Sequence, residues 1–323
     1  MKINELAVGN NFEGFYLITD ASVKNDKNGN PFLECKLCDN SGVVPAKMWD
    51  YNAEAVGINA TDSGSIVKVR GNVSDYRGKP QATIARIRRT TAEDDVNIAE
   101  IVPSAPIDVE ETLARLMNTL KENITDDDYY KVAMAMWNRH MDVWTVAPAG
   151  RAMHHAFLHG LLMHTYNMVR MAVSAADIYQ GVVNRSLLVA ATFLHDFGKV
   201  VEYTYSDLGL ATGFTISGAL VGHLVLGAME VRDICNAYGI PEEKSLLLQH
   251  LLLSHHGQPD WGAAVVPSCV EAEILSCIDV MDARVESYRE AMNKAEAGAL
   301  SDKVFALGNK RIYVESDYIK AEQ

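Results

Sequence analysis

Cysteine is scarce in this chain, with 5 in 323 residues, and the number is odd. A disulfide-built fold is therefore not expected, and reduced cysteines favour the cytoplasm. Cys35 and Cys38 form a single C-x-x-C. Zinc sites of that type need a second pair, so the two are read as strand residues. No apolar run approaches the length of a membrane span; LLLQHLLLS is short and carries a histidine. No N-terminal stretch joins basic residues to an apolar run and a cleavage site, so no signal peptide is expected. Positive charge is also in deficit. The net charge of −13 argues against indiscriminate binding to nucleic acid. What remains is a chain with 48% apolar residues, enough for two globular domains with sizeable cores.

The acidity is uneven. Residues 1–95 hold 12 Lys+Arg against 13 Asp+Glu, so the excess acid lies almost wholly in the remainder. Between Ile66 and Thr90 stand Lys68, Arg70, Arg77, Lys79, Arg86, Arg88 and Arg89 with Asp75 as the one acid. Such a run is either a solvated strand face or a phosphate-binding one. Residues 10–92 alternate apolar and polar in β-branched and aromatic segments, punctuated by KNDKNGNP, DNSG and YRGKP. That is the grammar of strands and turns. Five strands, with a short helical link near Asn52–Ile58 after the third, predict an OB-fold barrel. Such barrels stack bases on exposed aromatics, which makes Phe32, Trp49 and Tyr76 candidates, with Lys68, Arg70, Arg77 and Lys79 as phosphate partners. The same aromatics would otherwise fill the barrel core. Residues 96–110 read as a linker. From residue 111 to 300 apolar residues recur at spacings of three and four, which predicts an all-α domain, and 301–323 reads as a polar tail.

The helical half carries a spaced set of metal-type ligands: His164, His195-Asp196, His223, His255-His256 and Asp279. The gaps run from 23 to 32 residues, about one helix and one connection each. Ligands projecting inward from several helices of a bundle make a recognised kind of metal site. MHHAFLHGLLMHTYNMVRMA reads as one long helix, and LLVAATFLHDFGKV as a second, very apolar one. A buried His-Asp pair there needs compensation, which a metal ion supplies. Gly198 ends that helix or permits a close approach, and Lys199 follows on the same face as the pair. Asp282 is a rival to Asp279, and His140 and His250 are read as structural.

In this order and spacing, APAGRAMHHAFLHGLLMHT, LLVAATFLHDFGKVVEY, GALVGHLVLG, LLSHHG and EAEILSCIDVMDAR resemble the HD phosphohydrolase superfamily. With the N-terminal KNDKNGNPF and VKVRG segments, the chain most resembles the bacterial YhaM-type 3′→5′ exoribonucleases, which set an OB-fold before an HD domain. The resemblance implies that His164, His195, Asp196 and Asp279 are core metal ligands, and that His223, His255 and His256 serve a second ion. Asp196 is then the bridging carboxylate and a catalytic group. Lys199 and His155 are implied to stabilise phosphate oxygens, and His154 to bind the scissile phosphate or a neighbouring nucleotide. Departures occur where the family has GGLLEHT and this chain HGLLMHT, which changes His159 and Met163. Ser276 stands where the family has a histidine, and DWGAA where it has a segment like EFGSP.

One or two divalent ions are expected, manganese favoured, with cobalt, iron, zinc or magnesium able to serve. The expected activity is metal-dependent phosphodiester hydrolysis, by a 3′→5′ exoribonuclease acting on single-stranded RNA or DNA without a membrane partner. A homo-oligomer is compatible with the sequence. Two rivals are a hydrolase of small nucleotides (cyclic nucleotides, cyclic dinucleotides or nucleoside triphosphates) and a non-catalytic single-strand binder whose metal is structural.

Overall fold

The computed structural model describes residues 1–150 and 155–318. It divides into two compact units, Met1–Ser104 with Tyr205–Thr212, and Ala105–Thr204 with Gly213–Gln323.

The first unit is a closed five-stranded barrel. Its strands are β1 (Asn11–Asn25), β2 (Pro31–Asp39), β3 (Gly42–Met48), β4 (Ser65–Tyr76) and β5 (Lys79–Arg89), in the order β1-β2-β3-β5-β4. Strand β4 closes onto β1 antiparallel, and β3 meets β5 in parallel through Ala46↔Ala82 and Lys47↔Thr83. This circular order, with helix α1 (Ala53–Val56) between the third and fourth strands, is that of an OB-type barrel. Period-two alternation turns Val67, Val69 and Val73 of β4 inward, and Phe12, Tyr16, Leu33, Leu37 and Ile84 complete the core. Residues 96–110, expected as a linker, are partly built into the fold. Helix α2 (Ile98–Ile101) buries Ile101, and Val102 and Ala105 are buried after it. The apolar side chains in NIAEIVPSA explain the difference, since they are worth more in a core than in water.

The second unit is mainly helical: α3 (Val109–Asn123), α4 (Asp127–Val146), α5 (Gly160–Ile178), α6 (Arg185–Leu194), α7 (Lys199–Glu202), α8 (Ile216–Val221), α9 (His223–Tyr238), α10 (Glu242–Ser254) and α11 (Val270–Lys294). Side-chain caps start several of these. Asp108 accepts from Glu111 N, Asp126 from Asp128 N and Tyr129 N, and Asn184 from Leu187 N. Helix α6 is buried on every face from Ser186 to Leu194, the mark of a central helix. It packs on α4, α5, α10 and α11.

The all-α expectation needs correcting. A two-stranded hairpin, β6 (Tyr203–Tyr205) and β7 (Ala211–Phe214), interrupts the helices. The aromatic and β-branched residues of YTY and the tight turn at Gly209 (φ +84°) favour it. Nor do residues 301–318 form a free tail. Leu307, Ile312 and Val314 are buried, and bridges join Leu300 to Tyr313 and Val304 to Lys310. No helix of the described residues is long and apolar enough to cross a membrane.

Candidate metal centre and nucleic-acid surface

Helix α6 ends at Leu194, and the turn after it carries His195 and Asp196 into the interior, 0% and 2% exposed. Two features hold this turn. Phe197 stacks on Trp144 with ring centroids 5.2 Å apart. Gly198 has no side chain because none fits: a Cβ there would sit 2.1 Å from the carbonyl oxygen of His223. Of the two roles expected for Gly198, close approach is the one it plays, and it seats α9 against the turn. That contact brings His223, the first residue of α9, to Asp196.

The Asp196 carboxylate divides the site. Its Oδ2 faces His195 Nε2 at 3.2 Å and His164 Nε2 at 3.7 Å. Its Oδ1 faces His223 Nε2 at 3.5 Å and His255 Nε2 at 3.8 Å. On the first side, Asp279 Oδ1 lies 3.4 Å from His164 Nε2, and the Nε2 atoms of His164 and His195 approach to 3.2 Å. On the second side His256 joins His223 and His255 as a group with ligand spacing. The structure thus brings together all seven residues that the sequence marks as ligands.

Four of the five imidazoles are aimed by their other nitrogen. His195 Nδ1 donates to Thr192 O and His255 Nδ1 to Leu252 O, both at 2.7 Å. Donation at Nδ1 leaves Nε2 as the lone-pair atom facing the centre. Glu202 Oε1 does the same for His223, accepting from Nδ1 at 3.1 Å and from the backbone N at 3.0 Å. For His164 the partner is Asp282, which accepts from its Nδ1 at 2.7 Å. Asp282 thus sits on the Nδ1 side of His164, and Asp279 on the Nε2 side that faces Asp196. Asp282 also accepts from His155 Nε2 at 2.7 Å and from Asn167 Nδ2 at 3.2 Å.

His155, expected beside a phosphate, has a ring that is 1% exposed with its Nε2 on Asp282, which places it behind His164. Among the described residues, the long helix expected from MHHAF onward starts at Gly160, after His159 in the left-handed conformation (φ +61°). A glycine would be at ease there. Here His159 Nδ1 donates to Thr145 O instead. His154 lies outside the described residues.

The donor set fits divalent metal. Four buried atoms that converge here, Asp196 Oδ1, His223 Nε2, His255 Nε2 and His256 Nδ1, have no hydrogen-bond partner among the described residues. Orphaned buried polar atoms are costly, and a cation shared among them removes the cost. Protonation points the same way. Burial, aided by His195 and His256, pushes His255 well below the ordinary histidine value, so it is a neutral ligand. Burial, with His223, also lowers His256. Burial opposes the charge of Asp196, but Lys199, His195 and His223 outweigh it and hold the carboxyl well below the usual range. His164 is the exception: burial opposes its charged form, yet Asp279 and Asp282 prevail and its pKa rises to about 9, so an ion there has to displace a proton. Lys199 Nζ donates to Asp196 Oδ2 at 2.6 Å and to Ala149 O at 2.7 Å, which sets a cation beside the Asp196 carboxylate.

On the barrel, Phe32, Trp49 and Tyr76 form an outward cluster. Trp49 and Tyr76 are 46% and 50% exposed, while Phe32 is buried beneath Trp49, ring centroids 4.9 Å apart. Phe32 is absent from the barrel core. It underlies the stacking surface without being open to a base itself. Lys47 caps the cluster, 5.2 Å from the Phe32 centroid, 5.4 Å from that of Trp49 and 6.0 Å from that of Tyr76. Arg77 lies over Tyr76. Lys68 and Arg70 stand elsewhere, in the middle of β4, and Lys79 at the start of β5.

Sequence reasoning missed Lys47, Glu202 and Asn167. Lys47 is on β3 and Trp49 follows two residues later, just past the strand's end, a period-two spacing open in the sequence. Glu202 is an acid in the apolar stretch KVVEY, and only the packing of α7 on α9 reveals its partner.

Histidines and aspartates from several helices around a divided carboxylate define a metal-dependent site of HD type, and the HD domain family model matches residues 161–284. Similarity extends much further than that domain. The chain is 35% identical to the 3′-5′ exoribonuclease YhaM of Listeria welshimeri over 97% of this chain and 97% of the relative. It is 34% identical to that of Shouchella clausii, over 97% and 96% respectively. The chain belongs to the YhaM family. Among solved structures, the second OB-fold domain of replication protein A from Methanococcus maripaludis is similar at 19% identity and a TM-score of 0.23, covering 30% of this chain and 98% of that domain. The barrel assignment rests on its own strand order.

Proposed function

We propose that this protein is a metal-dependent 3′-5′ exoribonuclease that removes nucleotides from single-stranded RNA, with manganese as the preferred ion. The observation that carries the reading is Asp196, whose two oxygens face two separate histidine sets. His164, His195, Asp196 and Asp279 would hold one ion, and Asp196, His223, His255 and His256 a second. Ions there would supply Lewis acidity for the phosphodiester and the attacking water. Ligation by imidazole and carboxylate without thiolate suits manganese.

The residues of the chain do the rest. Asp282 and Glu202 fix the tautomers of His164 and His223. Lys199 places positive charge where phosphate oxygens would lie. Trp49 and Tyr76 offer flat surfaces to bases, with Lys47, Arg77 and Lys79 near the backbone. Family membership supports the 3′ polarity and the choice of RNA, since the relatives are named for both.

The test is a time course on 5′-labelled single-stranded RNA with manganese, run beside Asp196→Ala. A ladder shortening stepwise from the 3′ end, absent in the variant together with bound metal, is the expected result. An intact protein that leaves RNA whole but hydrolyses a mononucleotide or cyclic dinucleotide would overturn the reading.

A further inference from the structure

The barrel carries a second feature outside the aromatic cluster. On its outer surface Lys68 of β4 pairs across the strands with Arg88 of β5, and Arg70 with Arg86. Like charges directly opposite one another destabilise a sheet unless something neutralises them. Two of the four are answered within the protein. Asp94 grips Arg88 through both nitrogens at 2.7 Å, and Glu13 lies 3.7 Å from Lys68. Arg70 and Arg86 have no ion pair among the described residues.

The backbone is bent to put them there. Strict alternation after Ile84 would turn Arg86 inward. The register instead shifts between Arg70 and Gly71, so that Ile84 and Ile87 both point inward while Ala85 and Arg86 are both exposed. A bulge of this kind re-aims a side chain. Gly71 makes it feasible, because a Cβ at that position would stand 2.3 Å from Thr83 O. The cations line a groove of about 440 Å³ together with Glu13 and the apolar Met48, Ala55 and Val56. Cations beside apolar atoms in one groove match a chain of phosphates and sugars.

We propose that this groove binds the phosphodiester backbone of the single strand beyond the nucleotides stacked on Trp49 and Tyr76. The inference rests on the reading of the ligand as a single-stranded nucleic acid. Tyr76 and Arg70 lie six residues apart on β4, about 20 Å at ~3.3 Å per residue. The groove is thus a distal subsite, and only strands several nucleotides long reach both places.

The test measures binding by full-length protein in chelator, where RNA is not cut, across a salt series. The ligands are a tetranucleotide, a dodecanucleotide and a mononucleotide. Each phosphate contact adds about 0.7 to the slope of log affinity against log salt for single strands. Arg70→Ala/Arg86→Ala should therefore lower the dodecanucleotide slope by about 1.4 and leave the tetranucleotide slope unchanged. Arg70→Lys/Arg86→Lys should restore it, which separates a charge effect from a folding defect. Trp49→Ala should weaken both oligonucleotides without changing either slope. An unchanged dodecanucleotide slope overturns the distal track while single-strand binding itself stands. Equal losses on both lengths place the arginines in the stacking site and also overturn it. Groove-dependent binding of the mononucleotide as tight as the dodecanucleotide makes this a free-nucleotide site instead. If the intact protein binds no strand, the proposed function falls along with the inference.

Discussion

The two units treat their functional side chains in opposite ways. His195 and His255 are 0% exposed and His164 1%, whereas Trp49 and Tyr76 are about half exposed. At these positions the helical unit hides polar groups and the barrel displays apolar ones. Each is a costly choice for its residue type, and the proposed function accounts for both. A buried imidazole is stable only when both nitrogens are satisfied, and here the fold satisfies one and leaves the other for an ion. An exposed tryptophan forfeits burial energy and gains a surface on which any base can stack. Chemistry demands fixed geometry in a low-dielectric site, and strand binding demands access. The division of labour follows from that.

The contrast can be broken at several points, in falling order of effect. The largest loss after Asp196 itself should come from Asp282→Asn. It keeps the shape but removes the charge that receives protons from His164 and His155, and metal affinity should fall about 10- to 100-fold. Metal titration by calorimetry checks this, and an unchanged affinity would remove Asp282 as the orienting group. On the barrel, Trp49→Ala should raise KM for long single-stranded RNA roughly 5- to 150-fold, from about 1–3 kcal/mol per stacked base. Hydrolysis of a small chromogenic phosphodiester should not change, and a parallel loss there would mean that the units do not divide the work as argued.

A pH series sharpens the buried side. His164 gains its proton more readily in the fold, its pKa rising from 6.5 to about 9. Its contribution to the stability of chelated protein is complete below the unfolded value and disappears as pH rises through the folded one. Tm in chelator should therefore fall across that window, while the gain in Tm on adding manganese should grow, because the ion then displaces fewer protons. A manganese-induced gain that is flat with pH would count against His164 as a ligand. The smallest effect concerns His159. Alanine there keeps the left-handed strain and loses the bond to Thr145 O, costing about 1 kcal/mol. Glycine loses the same bond but relieves strain of about 1–2 kcal/mol, so its Tm should stay near that of the parent. Equal destabilisation by both would show the bond to outweigh the strain.

Much of this was legible in the chain itself. The five strands follow from alternation and turn chemistry, and the helices after residue 108 from apolar spacing and side-chain caps such as Asp108 and Asn184. The hairpin at 203–214 escaped notice because its strands of three and four residues are too short for a period to register. The order and spacing of the candidate ligands were also open to reading, since few residue types bind metal and a buried His-Asp pair demands a partner.

What the sequence by itself determined, then, is which groups are available and on which kind of element each sits. Spacing along a helix or strand fixes the face a side chain shares, because those periods are properties of the backbone. Tertiary structure alone decided which nitrogen of each histidine faces the centre, that Asp282 and His155 stand behind His164, that Glu202 serves His223, and that a bulge turns Arg86 outward. These depend on contacts between residues as much as 127 positions apart. Such pairings are set by packing between elements and by where one glycine lets two backbones meet, and no local period records them.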